Sequence, residues 1–84
     1  MQMSGKNVAT LKDLRRGQRA IIAGLDLAED VARRLMELGF LPGGPVRAGR
    51  AAPGGDPRVF EVDGTEIALR KETASRIRIE LIQA

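Results

Sequence analysis

At 84 residues, with 43% hydrophobic and 30% charged side chains, the chain is sized for one compact domain and is too apolar to stay unfolded. Its 14 Lys and Arg against 11 Asp and Glu leave a formal charge of +3, carried by singles and pairs such as Arg15-Arg16 and Arg33-Arg34; without a basic block or tail, this reads as a solvated surface. Cys and His are both absent, which excludes disulfides, thiolate metal sites and imidazole catalysis, and leaves only carboxylates and water for a transition metal.

Residues 1–9 are polar and without period and read as a loose leader, with residues 10–84 forming the domain. The leader has no apolar run of the kind a signal peptide needs, and no stretch approaches the ~18 apolar residues of a membrane span. A cytoplasmic protein with no direct membrane insertion is therefore expected.

Thr10-Leu-Lys-Asp13 has the spacing of a capping box, so a helical turn carrying Leu11 and Leu14 is expected before Gly17 ends it. Gln18 to Leu25 is a short apolar stretch bounded by glycine and reads as a strand. The period then changes. Leu27, Val31, Leu35 and Leu38 recur at helical spacing, with Asp26 as a candidate cap, Glu29–Arg33 and Asp30–Arg34 as i,i+4 pairs and Gly39 as the stop.

After the turn-rich connector Phe40 to Pro45, Val46 and Ala48 alternate with Arg47 and Gly49 as a half-buried strand, and residues 53–57 form a loop. Phe60 and Val62 alternate with Glu61 and Asp63, Asp63-Gly64 supplies a hairpin turn, and Ile67 and Leu69 lead back with an inward face. Lys71 to Ser75 can make one helical turn, and Ile77, Ile79 and Leu81 mark a last strand. The sum is a mainly β chain of five short strands with one α-helix between strands 1 and 2, for which closure into a small barrel removes exposed edges.

Catalysis finds little support. Ser4, Ser75, Thr10, Thr65 and Thr73 have no histidine to activate them, and Glu61, Asp63 and Glu66 flank a hairpin on its solvated face. Gly39-x-x-x-Gly43-Gly44 and Gly54-Gly55 lack the Lys-Ser/Thr ending of a phosphate loop and read as turns. With Phe40 and Phe60 as the sole aromatics, neither base stacking nor a polyproline groove can be built. What remains is apolar character around the helix ends. Leu25, Leu27, Phe40 and Leu41 are candidate protein-docking residues, although a residue before a cap or after a terminal glycine also commonly packs inward.

The motif Leu11-x-x-Leu14-x-x-Gly17-x-x-Ala20-x-Ile22, followed by Leu35-x-Glu37-Leu38-Gly39-Phe40-x-Pro42-Gly43, resembles the FeoA family. Ala52-Pro53-Gly54-Gly55-Asp56-Pro57, Phe60-x-Val62-x-Gly64-x-x-Ile67-Ala68-Leu69-Arg70 and Ala74-x-x-Ile77-x-Ile79 continue that pattern in order, so the likeness runs from about Thr10 to Ile82. The resemblance implies an SH3-like barrel and a non-catalytic cytosolic accessory of ferrous iron uptake, without cofactor or metal of its own, that binds the cytosolic part of an FeoB transporter. Thr65 and Ala48 depart from the family pattern, which leaves open whether a homo-oligomer completes the barrel. The alternative reading is a small-barrel nucleic-acid binder using Arg15, Arg16, Arg47, Arg50 and Arg58, which the scarcity of aromatics disfavours.

Overall fold

The computed structural model describes residues 9–82. Most of the expected leader, residues 1–8, lies outside the described residues; Ala9 is already part of a strand. The order is β1 (Ala9–Thr10), a 3-10 turn (Leu11–Asp13), β2 (Arg19–Leu25), α1 (Glu29–Leu38), β3 (Pro45–Ala51), a 3-10 turn (Pro53–Gly55), β4 (Arg58–Val62), β5 (Thr65–Leu69), α2 (Lys71–Ala74) and β6 (Ile77–Leu81).

All strands join one antiparallel sheet in the order β1-β6-β2-β3-β4-β5. This corrects the expectation of five strands and a closed barrel: among the described residues there are six, and the sheet is open, its edge strands β1 and β5 not bonded to each other. The physical reason lies at both edges. β1 is just two residues long and spends its bonds on β6, pairing Ala9 with Ile79 and Thr10 with Arg78. At the far edge, β5 stops at Leu69 because α2 starts at Lys71, whose N–H donates to the Asp56 carboxylate at 2.9 Å.

Side chains bridge the region that backbone pairing leaves open. Leu11 and Leu14, on the turn that Thr10 opens by donating its N–H to the Asp13 carboxylate (2.9 Å), are buried in the core. The Arg58 guanidinium reaches from β4 to donate to the Leu14 carbonyl at 2.6 Å and sits 5.6 Å from the Phe60 ring centre. The core itself gathers Ala20 and Ile22 of β2, Val46 and Ala48 of β3, Phe60 and Val62 of β4, Leu69 of β5 and Ile77 and Ile79 of β6. These alternate along each strand as a sheet with one buried face requires. Leu81, expected to continue the inward face of β6, is half exposed at the strand's end.

The β4–β5 hairpin follows its sequence. Asp63 (φ 51°) and Gly64 (φ 76°) both take positive φ, which is the type I′ turn that matches strand twist, and Val62 pairs with Thr65 across it. Between β2 and β6 the register shifts between Ile22 and Gly24, so β2 bends before it hands the chain to α1.

Candidate functional site

The helix that the docking candidates flank starts later than its spacing suggested, and its exposed side includes part of the apolar stripe. Ala28, not Asp26, is the residue that precedes its first turn, and no side chain caps it. Asp26 instead ties β2 to β6: its N–H donates to the Arg76 carbonyl at 2.7 Å, and its carboxylate accepts from Arg78 Nε at 2.8 Å. Glu29 and Asp30 occupy the first turn, where negative charge complements the helix dipole. Of the two expected i,i+4 pairs, Glu29–Arg33 forms at 3.6 Å between well-exposed side chains, and Asp30–Arg34 is not among the ion pairs of the described residues.

Ala32 and Leu35 are the buried positions of α1. Val31 and Leu38, one heptad apart and therefore on the same side of the helix, stay 41% and 46% exposed. The apolar stripe is wider than the surface it covers, and its uncovered flank faces outward. The spacing places both residues on one helix face with Leu27 and Leu35, and a periodic stripe does not say where packing stops.

The four candidates separate by burial. Leu25 and Leu27 are half-buried and packed against the core. Phe40 is fully buried, so it belongs to the core and offers no ring to a partner. Gly39 (φ 121°) ends the helix, and the Phe40 N–H turns back to the Leu35 carbonyl at 3.0 Å, a Schellman closure that directs the following side chain inward. Leu41 is 51% exposed. It sits on a tight turn in which the Gly44 N–H donates to the Leu41 carbonyl (2.8 Å), while Gly43 and Gly44 bond the backbone of Ile22 at 2.7 and 2.9 Å. A shallow cavity of about 210 Å³ lies beside it, lined by Gly39, Leu41, Gly44, Pro45 and Asp63. The exposed large apolar side chains in and just after α1 are thus Val31, Leu38 and Leu41, whereas Leu25 and Leu27 pack against the core.

The arginines of the alternative reading do not form one free surface. Arg58 is engaged with the Leu14 carbonyl, and Arg47 lies 3.7 Å from Glu61. Arg16, Arg47 and Arg50 line a recess of about 220 Å³ whose walls also hold Glu61 and Glu66, which repel a phosphate backbone. Among the described residues no group of three Asp or Glu is arranged to hold a metal ion, and no helix is long and apolar enough to cross a membrane.

Residues 9–81 match the family model of the FeoA domain. The chain belongs to the FeoA family. The FeoA protein of Chlorobium tepidum superposes with a TM-score of 0.85 at 31% identity, over 89% of this chain and 71% of that one. The zinc complex of Stenotrophomonas maltophilia FeoA, described as a prokaryotic SH3 domain protein, gives a TM-score of 0.75 at 37% identity, over 86% and 89% of the two chains. The SH3-like fold expected from the motifs is thereby shown, with six strands rather than five. A curated relative from Porphyromonas gingivalis, a fusion of Fe(2+) transport protein A with the Fe(2+) transporter FeoB, is 30% identical over 74 residues. The match covers 88% of this chain and 9% of that relative's length.

Proposed function

We propose that this FeoA-family chain is a non-catalytic cytoplasmic accessory of ferrous iron uptake that docks on the cytosolic part of an FeoB-like transporter. The observation that carries the reading is the relative in which the homologous module and the transporter share one polypeptide. Covalent linkage holds two modules at high effective concentration, and a productive contact between them still needs a docking surface on each.

The apolar surface around α1 is suited to that task. Leu41, Val31 and Leu38 are exposed and large, and Leu25 and Leu27 are partly buried ahead of the helix. Docking there would act by binding one conformation of the transporter better than another, a coupling of about 1–3 kcal/mol being typical. Ferrous iron passes through the transporter in this scheme and is not held by the accessory.

Capture of the native chain on the immobilised cytosolic part of the cognate transporter, with and without guanine nucleotide, tests the reading. Retention that is lost in Leu41→Asp and Leu38→Asp, at unchanged melting temperature, supports it. No retention under any nucleotide condition rejects it.

A further inference from the structure

A row of four charges crosses the solvent face of the sheet. The strand registers pair Arg19 of β2 with Arg47 of β3, Arg47 with Glu61 of β4, and Glu61 with Glu66 of β5. Residues paired in this way point to the same face, and all four are exposed or half-buried. The charges are segregated: two arginines, then two glutamates. Opposite charges meet at one point, where Arg47 Nη1 and Glu61 Oε1 are 3.7 Å apart.

Within one copy this order is unfavourable. Like charges directly opposite each other on adjacent strands destabilise a sheet, and the row contains two such pairs, Arg19 with Arg47 and Glu61 with Glu66. Exchanging Arg47 with Glu61 would alternate the signs and relieve both. The arrangement is, however, self-complementary. A two-fold axis lying in the sheet face, along the strands and between Arg47 and Glu61, reverses the row and sets Arg19 against Glu66 of the second copy and Arg47 against Glu61 of the second copy. Symmetry makes each contact twice, so every charge in the row gains an opposite neighbour.

The row has apolar borders that such a contact would bury. On one side Ile21 pairs with Pro45; on the other, Ala51, Ala52, Pro53, Pro57, Val59 and Ala68 line a mostly apolar cavity of about 360 Å³. A free oxyanion fits the face poorly, because Glu61 and Glu66 share the recess with Arg47. We propose that this face is an isologous interface between two copies of the chain, in register through the Arg19, Arg47, Glu61, Glu66 row. It lies on the sheet and uses none of the apolar residues around α1, so it is independent of the transporter reading.

Sedimentation of the full chain between about 0.01 M and 1 M salt, over which the Debye length falls from ~30 Å to ~3 Å, tests it. The expected result is a dimer whose dissociation constant rises at least about tenfold across that range. Arg19→Glu with Arg47→Glu makes the row uniformly negative, and Glu61→Arg with Glu66→Arg makes it uniformly positive. Each double variant should be monomeric alone, and an equimolar mixture should form a heterodimer. A native chain that stays monomeric at low salt overturns the proposal, as does a dimer indifferent to both reversals or a mixture that stays monomeric while both variants keep the native melting curve. Should a reversal unfold the chain, Arg19→Gln and Glu66→Gln replace it, each expected to weaken the dimer and its salt dependence together; a dimer unchanged in both overturns the proposal equally.

Discussion

Arg78 and Asp26 meet at 2.8 Å across the seam between β6 and β2, 52 residues apart in sequence, with the guanidinium laid over the backbone of Gly24. The buried glycine is what makes the path possible: a Cβ built there would fall inside the guanidinium, so any other residue would push Arg78 away from its partner. The pair is half exposed, at 45% and 57% side-chain accessibility, which places it among ion pairs worth up to ~1 kcal/mol.

Gly24→Ala should therefore cost at most ~1 kcal/mol, through the displaced Arg78 rather than a backbone clash, and Asp26→Ala a similar amount. In a double-mutant cycle their effects should fall short of additivity, because each abolishes the same contact. Urea unfolding of the four proteins measures this, and strict additivity would mean that Gly24 matters for the register shift alone.

Arg58 is expected to matter more than any other arginine of the sheet. Its hydrogen bond to the Leu14 carbonyl, at 2.6 Å and part-buried, joins β4 to the N-terminal turn where no strand pairing exists. A hydrogen bond from a charged donor contributes about 1.5–3 kcal/mol, so Arg58→Met should lower the melting temperature by roughly 6 °C or more. Arg47→Met, which removes an exposed pair, should cost less than ~1 kcal/mol; equal losses in both would show that Arg58 contributes no latch.

Phe40 and Leu41 are neighbours in sequence with opposite roles. Phe40→Ala empties a fully buried ring site and should destabilise by about 3–5 kcal/mol, enough to leave the domain partly unfolded. Leu41→Asp, at 51% exposure, should change stability by less than ~0.5 kcal/mol. Thermal melts decide this directly, and a large loss in Leu41→Asp would assign that side chain to packing.

Gly39 should resist substitution. Its φ of 121° is one that L residues rarely adopt, and a Cβ would stand 3.1 Å from Val62 Cγ2 in the core. Gly39→Ala should cost more than the ~1 kcal/mol of a simple glycine replacement at positive φ, with the helix end and β4 disturbed together. Amide exchange at Phe40, whose N–H closes the helix on Leu35, is the local reporter.

How much of this was legible in the sequence depends on how local the cause is. The hairpin was readable because Asp63-Gly64 sets its own turn and the flanking Phe60, Val62 and Leu69 alternate. The helix stop at Gly39 was readable for the same reason. β1 was not, since two residues carry no period and owe their conformation to Ile79 and Arg78 at the other end of the chain. Asp26 looked like a cap because the cap rule is local, and it was claimed instead by an arginine that no short-range pattern predicts. For the candidate site, burial was the missing quantity: Leu25, Leu27, Phe40 and Leu41 look alike as letters, and only the fold ranks them from core to surface.

The pairing of Ala9 with Ile79 puts the entrance and the exit of the domain on adjacent strands at one corner of the sheet. A module with both of its ends at one corner can be spliced ahead of a larger protein, behind it or into one of its loops without being unthreaded. In each case the helix and the far strands would swing free of the attachment point, which leaves a tethered copy as able to use its surfaces as a separate one.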